Sequence, residues 1–371
     1  MRSILNIGIV GAGEFAAFAA KAFLKVEGVS IVAVTDINES VAAQMAIDLN
    51  AKLYTTIEQL LADSKVDLVY IATPPSLHFQ QSYLALKAGK HVICEKPAAL
   101  LTTDAETLAS YAQAHKLLYV VNLMQRYNPL YDVVKQIVDE QWLGEFVHGF
   151  FENYASDEKL IPEHWFWSEE MSGGIFIEHG VHFFDMFNGW LGKGELINSF
   201  QIQRSGVEQK IIDRVQADVM YKDGPVNFYH GFNQPKLLDR QELRLQFDRG
   251  DITLHEWIPV KIRLHGLVTT AQIEKLMSIF PDSMIVYHSD INHKDQRAKG
   301  KFRDILFNSL ITMNSGDIRN KMIRYEQLVT SMLEDQWAWI QDRTHVRKID
   351  DTNAVESLRM AEIATKMASA R

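Results

Sequence analysis

The sequence predicts an α/β fold in which an N-terminal doubly wound parallel sheet is followed by an α+β domain built on a mostly antiparallel, open sheet. Over the first third of the chain, helical segments alternate with continuous apolar strands, as expected where helices cover both faces of a parallel sheet. Later strands alternate apolar with polar residues, which is typical of an antiparallel sheet with one exposed face. Because 371 residues exceed what one hydrophobic core usually serves, we predict two domains, residues 1–122 and 123–371.

Composition narrows the class of protein. The chain carries 38 basic and 47 acidic side chains, a net charge of −9 that argues against a broad nucleic-acid or anionic-membrane surface. A single cysteine, Cys94, excludes an internal disulfide framework and a cysteine-rich metal site, and it fits a reducing compartment. The apolar runs are shorter than a membrane span, and the first residues lack the pattern of a signal peptide. We therefore expect a soluble, cytoplasmic protein.

The first strand, residues 4–10, leads into a glycine turn, "GAGEFA", and then into an alanine-rich helix. In this spacing Gly11 permits the tight turn, and Gly13 lets the backbone approach a pyrophosphate at the helix N-terminus. Asp36 ends the next strand and can accept hydrogen bonds from both ribose hydroxyls. The following "INES" has no basic residue to neutralise a 2′-phosphate, so the pattern predicts NAD, with NADP less favoured.

The alternation of helices and strands continues to about residue 122. The further predicted helices are "VAAQMAIDL", "IEQLLAD", "LHFQQSYLALKA" and "TLASYAQAHKL", and the further strands are "VDLVYIAT", "HVIC" and "LLYVVNLM". One strand ends at Thr73 and Pro74, where proline stops further pairing, and the next ends at Glu95 and Lys96. Ligands of open parallel sheets bind beyond the carboxyl ends of the strands, so Lys96 is expected on the cofactor side.

From about residue 144 the pattern is that of an antiparallel sheet. The predicted strands are "EFVHGFFENYA", "RVQADVMYKDG", "PVNFYHGFN", "ELRLQFDRGDITLHE" and "IPVKIRLHGL", with hairpin turns in "YKDGPV" and "FDRGDI". "IEKLMSIF" and "EQLVTSMLEDQWAWIQD" predict helices that pack on apolar surfaces, and residues 288–304 predict a solvated basic loop. Asn153 and Tyr154, near the end of the first of these strands, can present polar groups to a ligand.

The stretch "MSGGIFIEHGVHFFDMFNGWLG" predicts an apolar helix capped by Ser172 and ended by Gly192. Glu178, His182 and Asp185 interrupt it at i, i+4 and i+7 and so share one face. A carboxylate one turn from a histidine can orient the imidazole and stabilise its charged form, which suits a general base. We favour such an acid–base site; a hydrogen-bonded core network and a metal site, the latter without an H-E-x-x-H pattern, are the alternatives.

Four stretches carry a resemblance to one family: "GIVGAGEFA", "IATPPSLHFQQSYLALKAGKHVICEKP", "QRYNPLY" and "SGGIFIEHGVHFFD". With them the chain resembles the Gfo/Idh/MocA family, that of glucose–fructose oxidoreductase, inositol dehydrogenase and rhizopine catabolism proteins. The likeness covers nearly the whole chain, apart from residues 266–305. It implies an N-terminal Rossmann domain and NAD(P)-dependent oxidation or reduction of a CH–OH group in a sugar, cyclitol or related polyol. It also implies a homodimer or homotetramer.

The resemblance also implies roles for individual residues. Lys96 matches a lysine that lies between the nicotinamide and the substrate hydroxyl, and His182 matches the histidine that removes the hydroxyl proton. Glu178 takes a position usually held by aspartate. The cofactor-binding residues that we assign are Gly11, Gly13, Glu14, Phe15, Asp36, Thr73, Pro74, His78, Glu95 and Lys96, and the substrate-binding residues are Gln125, Asn153, Tyr154, Trp165 and Asp185. We assign no metal.

Two of these assignments have structural alternatives. His78 opens a helix and can instead belong only to its first turn, and Glu95 can anchor the neighbourhood of the lysine instead of the ribose. Departures from the family pattern, Gln125 in place of an arginine and Phe166 after Trp165, put the identity of the substrate in doubt. The sequence also leaves the direction of the reaction open. Two other functions stay possible: a non-catalytic nucleotide-binding sensor, and an enzyme whose tightly bound NAD serves redox-neutral sugar chemistry.

Overall fold

Six parallel strands form the first sheet of the computed structural model, which describes residues 4–288 and 295–370. The strands are β1 Leu5–Val10, β2 Val29–Thr35, β3 Lys52–Leu53, β4 Leu68–Ile71, β5 His91–Cys94 and β6 Tyr119–Val121. Their order is β3-β2-β1-β4-β5-β6, and every neighbouring pair is parallel. The order reverses between β1 and β4, the place where ligands of doubly wound sheets bind. The predicted doubly wound sheet is confirmed.

Five helices connect these strands. They are α1 Glu14–Phe23, α2 Glu39–Leu49, α3 Ile57–Leu61, α4 Pro75–Lys87 and α5 Thr102–Ala114. The helix α1 buries the small side chains of Ala16, Ala19 and Ala20, which allow a close approach to the sheet. The strand predicted from "LLYVVNLM" is shorter than expected, because a 3-10 turn begins at Met124 and runs to Tyr127.

The remaining strands are β7 Phe146–Ser156, β8 Glu195–Gln203, β9 Ile212–Tyr221, β10 Gly224–Gln234, β11 Arg240–Phe247, β12 Gly250–His255, β13 Lys261–Val268, β14 Met284–Tyr287, β15 Gln296–Gly300, β16 Arg303–Phe307 and β17 Ser309–Gly316. Nine of them form the second sheet, in the order β14-β17-β13-β12-β11-β7-β10-β9-β8. Both predicted hairpin turns are present, between β9 and β10 and between β11 and β12. The sheet is mostly antiparallel, as predicted, and β7 and β10 form a parallel pair.

The other helices are α6 Pro129–Asp139, α7 Glu169–Ser172, α8 Val181–Leu191, α9 Thr270–Ile279, α10 Lys321–Gln341 and α11 Asp351–Ser369. The prediction of one continuous helix from Ser172 to Gly192 is wrong at its start. Gly173 and Gly174 have φ of +77° and +88°, a left-handed conformation that ends α7. A π-helical turn, Phe176–Gly180, then leads into α8, which ends before Gly192 as predicted.

The chain divides into two compact units that interleave along the sequence. The described residues of the first unit lie in Met1–Tyr127, Pro162–Asp185 and Tyr325–Lys366, and those of the second lie in Asn128–Ile161, Met186–Arg324 and Met367–Arg371. The π turn and the first residues of α8 therefore belong to the same unit as the parallel sheet. The predicted division after residue 122 follows the end of the first sheet and stays a prediction.

The core of the second unit lies on one face of its sheet. Phe187 of α8 packs against Phe228 of β10, with 5.0 Å between the ring centroids, and against Trp190 at 5.4 Å. A Cβ added to Gly149 would lie 3.2 Å from the Phe187 ring, so this glycine lets α8 approach the sheet. Side chains on the opposite face of β7, β9, β11 and β13 are partly exposed, in agreement with the predicted alternation.

The described part of the basic stretch 288–304, predicted as a loop, is mostly a hairpin. Residues 289–294 lie outside the described residues, and the rest contributes to the hairpin of β15 and β16. Ion pairs connect the hairpin to other segments of the second unit: Arg303 contacts Asp248 at 2.6 Å, and Lys301 contacts Glu145 at 2.8 Å. Within residues 4–288 and 295–370, helices with the length and apolarity needed to cross a membrane are absent.

We expect Phe228→Ala to lower the free energy of unfolding by about 3–5 kcal/mol, because it leaves a cavity beneath Phe187 where Phe228 is fully buried. Urea denaturation of the full chain measures the loss. Phe200→Ala is the matched control, since Phe200 is 41% exposed on β8 and its removal should cost much less. Equal losses in the two variants would contradict this description of the core.

Candidate active site

The glycine turn after β1 is shaped for a ligand. Gly11 has φ of +93°, and a Cβ there would lie 2.6 Å from the Ala72 carbonyl oxygen, so only glycine fits. Gly13 is the N-cap of α1, no side chain caps this helix, and a Cβ on Gly13 would meet nothing within 4 Å. Glu14 and Phe15 follow as the first helical residues and are exposed and half-buried. The N–H groups of the α1 terminus thus face open space that an anion can enter.

Asp36 stands beside this turn at the end of β2. One carboxylate oxygen accepts a hydrogen bond from the Ala12 N–H at 2.6 Å, and the other accepts one from the Asn38 N–H at 2.7 Å. Each oxygen keeps a lone pair for a further donor. The backbone bonds therefore fix the carboxylate at the glycine turn with capacity left for two hydroxyl groups.

Glu95, directly after β5, is directed into the first unit. It is 9% exposed, and one of its oxygens accepts hydrogen bonds from the Tyr70 hydroxyl at 2.6 Å and the Asn122 side-chain amide at 2.8 Å. Burial raises the pKa of its carboxyl group, an effect that these two bonds oppose. The contacts favour the anchoring alternative for Glu95.

Lys96 contacts one residue of the π turn, Glu178. Its Nζ donates a hydrogen bond to the Glu178 backbone oxygen at 2.9 Å and forms an ion pair with the Glu178 carboxylate. The two side chains are only 20% and 11% exposed. Residues 82 positions apart in the chain are thus brought together at the carboxyl end of β5.

His182 follows one turn later, in the first turn of α8. It is 5% exposed, and its Nδ1 is buried with no hydrogen-bond partner in the part of the chain that the structure describes. Burial, and after it the charge of Lys96, lower the pKa of His182 to about 3. The ring is therefore neutral at physiological pH.

This charge state differs from the expectation that Glu178 stabilises the charged form of His182. The carboxylate of Glu178 is engaged by Lys96, and Glu178 lies in a π turn, whose hydrogen bonds run from i to i+5. The α-helical spacing used to place the two side chains together does not hold across that turn. The catalytic role assigned to Glu178 stays a prediction, with Lys96 as its partner.

Asp185 is held by a residue that the sequence did not single out, Arg126. The Arg126 guanidinium donates to the two carboxylate oxygens at 2.7 and 2.8 Å and to the Asp185 backbone oxygen at 2.8 Å. Asp185 is 2% exposed, and burial raises the pKa of its carboxyl group against the effect of Arg126. This geometry favours a supporting role for Asp185. Gln125, in the same 3-10 turn as Arg126, is 1% exposed.

The loops after β4 and β5 are joined by His78. Its ring nitrogens lie 2.6 Å from the Pro97 carbonyl oxygen and 2.7 Å from that of Thr73, and the side chain is fully buried. These contacts favour the structural alternative for His78. The Thr73 hydroxyl donates to Gln81 at 2.6 Å, and Pro74 is the N-cap of α4.

The remaining candidates lie apart from this cluster in the chain. Trp165 is half-buried at the start of a 3-10 turn in the first unit. Asn153 and Tyr154 belong to the second unit: the Asn153 amide donates to the Gly231 carbonyl oxygen at 3.2 Å, and Arg240 lies 4.7 Å from the Tyr154 ring. The first unit thus brings together the glycine turn, Asp36, Lys96, Glu178 and His182.

Comparison with known proteins connects this arrangement to one family. A family model described as "Oxidoreductase family, NAD-binding Rossmann fold" matches residues 5–123, and one described as "GFO/IDH/MocA C-terminal domain" matches residues 131–252. The chain is 28% identical over 282 residues to Oxidoreductase P35 of Formosa agariphila, covering 74% of the chain and 87% of that protein. It is 35% identical over 163 residues to inositol 2-dehydrogenase of Agrobacterium fabrum, covering 42% and 48%.

The fold is similar to that of a solved structure over its whole length. The crystal structure of the WlbA dehydrogenase from Bordetella pertussis, in complex with NADH and UDP-GlcNAcA, gives a TM-score of 0.78 at 15% identity, covering 100% of this chain and 97% of that one. At this identity the likeness concerns the fold alone. Several further curated relatives are matched over only 35% to 51% of their own length.

We expect His182→Asn to flatten the pH dependence of stability. The pKa of His182 falls from 6.5 to about 3 on folding, so between these values the unfolded chain binds a proton that the native protein does not. The wild type should therefore lose stability as pH falls below 6.5, by about 2 kcal/mol at pH 5 relative to the variant. Urea denaturation of the wild type and of His182→Asn at pH 7.5 and pH 5 measures this difference. Both proteins keep His91 and His230, so the contributions of these two histidines cancel in the comparison. Parallel pH profiles would refute it.

Proposed function

Because the chain belongs to the Gfo/Idh/MocA family of NAD-binding oxidoreductases, we propose that it transfers a hydride between nicotinamide and a hydroxyl or carbonyl carbon of a sugar, cyclitol or related polyol. The observation that carries this proposal is the pairing of Lys96 with Glu178 beside a neutral, buried His182. These groups lie in the unit that also contains the glycine turn and Asp36. An unprotonated imidazole can take the proton of an alcohol, and an ammonium can stabilise the negative charge that develops on its oxygen.

The residues at the glycine turn fit a dinucleotide. The uncapped α1 terminus and the open space at Gly13 would hold the pyrophosphate, and Asp36 would accept the ribose hydroxyls. The nicotinamide, when bound, supplies the carbon that accepts or donates the hydride. NAD is favoured over NADP because a 2′-phosphate would meet the Asp36 carboxylate, and the exposed residues 37–40 bring no cation.

Lys96 and His182 have different roles at the substrate oxygen. In the oxidation direction, His182 takes the hydroxyl proton, while the Lys96 ammonium stabilises the negative charge that develops on the oxygen. Glu178 keeps Lys96 in place from both its carboxylate and its backbone oxygen. In the reduction direction, the same histidine returns the proton to the carbonyl oxygen.

A carbohydrate-type substrate is supported by the relatives. The similar proteins include an inositol 2-dehydrogenase and a dehydrogenase crystallised with UDP-GlcNAcA. The substrate contacts assigned to Gln125, Trp165, Asn153 and Tyr154 are part of this proposal. So are a cytoplasmic location and a homodimer or homotetramer, the latter supported by the exposed Ile197, Phe200 and Ile202 on the edge strand β8.

The test of the proposed function is NADH formation by the purified chain with NAD across a panel of inositols, sugars, sugar acids and nucleotide sugars. Turnover on a member of the panel supports the proposal and identifies the substrate class. If NAD binds but none of the substrates, in either direction, is turned over, the proposal fails. Release of NAD only on denaturation would then favour the enzyme with retained cofactor.

Lys96→Met and His182→Asn should each lower kcat by about 10²–10⁴-fold while NAD still binds, since each removes one of the two groups that act on the substrate oxygen. Steady-state kinetics and equilibrium NAD binding measure the two effects. Lys90→Met is the matched control: Lys90 precedes β5 and donates to the Asp63 and Val66 carbonyl oxygens at 2.9 and 2.7 Å, away from the carboxyl end of the strand. Wild-type kcat in either site variant would exclude its assigned role.

Asp36→Ser should reverse part of the preference for NAD. Loss of the carboxylate removes two acceptors for the ribose and the repulsion of a 2′-phosphate, so kcat/KM with NAD should fall at least about tenfold relative to that with NADP. Glu39→Ser, an exposed acid three residues on, should leave the ratio unchanged. Melting curves check that the Asp36 variant is folded, because Asp36 also holds the Ala12 N–H. An unchanged ratio would exclude Asp36 from ribose recognition.

A further inference from the structure

The helix that carries His182, α8, is held by a buried ion pair between Asp185, about one turn after His182, and Arg126. Arg126 and Asp185 are 13% and 2% exposed, and the planar guanidinium contacts the carboxylate with two nitrogens and the Asp185 backbone oxygen with one of them. A bidentate contact of this kind fixes orientation as well as distance. Arg126 lies in the 3-10 turn after β6, so the pair connects α8 to the edge of the parallel sheet.

A second contact reaches the same carboxylate from another part of the first unit. The side-chain amide of Asn353, in the first turn of α11, donates to Asp185 at 3.2 Å. The oxygen of that amide accepts the Asp350 N–H at 2.9 Å, which fixes the direction of the donor. Asp185 is therefore held by two segments of chain that are distant in sequence.

His182 needs an external support because it lacks one of its own. Its Nδ1 has no hydrogen-bond partner within residues 4–288 and 295–370, so no hydrogen bond of that atom sets the ring direction. On its N-terminal side the helix begins in the π turn, and Glu178 in that turn is committed to Lys96. The direction of the imidazole therefore depends on the rotation and position of the first turn of α8, and Asp185, three residues later, is held there by side-chain contacts within the first unit.

We propose that Arg126 is a positioning residue: through Asp185 it fixes the orientation of α8 and so the direction in which His182 faces the substrate oxygen. Its contribution differs from that of a stabilising contact. Buried ion pairs often add little net stability, since desolvation offsets the attraction between the charges. Arg126 therefore contributes to the geometry of the site and not mainly to stability. This inference rests on the role in proton transfer proposed for His182.

Arg126→Lys tests this geometry because it keeps the positive charge and loses the planar fork. We expect kcat to fall at least tenfold, with the affinity for NAD and the KM for NAD unchanged. Asp185→Asn should have the same effect, and the double variant should lose less than the product of the two single losses, because both changes break one contact. Arg359→Lys is the matched control, since Arg359 pairs with Glu106 and Glu356 at the surface of the same unit. Its kcat should equal that of the wild type.

Imidazole NMR of the full chain provides a readout that does not depend on turnover. The His182 signal is identified by its absence in His182→Asn, and it should shift or broaden in Arg126→Lys and Asp185→Asn but not in Arg359→Lys. Unchanged His182 signals, or a lower melting temperature with wild-type kcat, would overturn the positioning role. If the wild type turns over nothing while the signal moves, the proposed reaction fails and the tether to His182 stands.

Discussion

The ion pair between Lys96 and Glu178 is the contact on which the site depends. The pair holds the Lys96 cation at the carboxyl end of β5. Its carboxylate, that of Glu178, comes from a segment more than 80 residues later in the chain. A lysine held there alone would be a buried, uncompensated charge, and such groups are costly. The parallel sheet therefore supplies one half of the site, and the inserted segment with the π turn supplies the other half. This explains why residues 162–185 belong to the compact unit of the parallel sheet instead of the unit that precedes and follows them in the chain.

The helical stretch that contains the π turn begins after two glycines. Gly173 and Gly174 take left-handed conformations, so the chain enters the helical stretch from a direction that a continuous α-helix from Ser172 would not allow. The wider turn that follows contains Glu178, both of whose acceptors reach Lys96. Turns of this kind are frequent at functional sites, where they change the register of the side chains on either side. Here the Glu178 side chain contacts Lys96, and the charge of Lys96 in turn acts on His182.

Local signals in the sequence were sufficient for much of the fold. The strand predicted from "HVIC" is β5, and the turn at Gly11 and Gly13 and the acid at Asp36 lie where their spacing predicted. What could not be predicted was set by distant residues. Alternation of apolar and polar residues does not encode strand direction, so the parallel pair of β7 and β10 was invisible. An acid in an apolar helix signals a buried cation, but nothing in the sequence identifies Arg126, 59 residues away, as that partner.

Burial determines which of two neighbouring basic side chains, Lys96 and His182, carries a positive charge. The low-dielectric surroundings allow a charge only where an opposite charge compensates it, and Glu178 compensates one cation. That cation is Lys96, so a second positive charge on His182 would be buried without a partner and would also be repelled by the first. Burial and Lys96 together thus keep the imidazole neutral, as the direction of its pKa shift indicates. The chain obtains a fixed positive charge and an unprotonated imidazole in one site because the Glu178 carboxylate pairs with Lys96 and leaves His182 uncompensated. That division follows from desolvation before any substrate is bound.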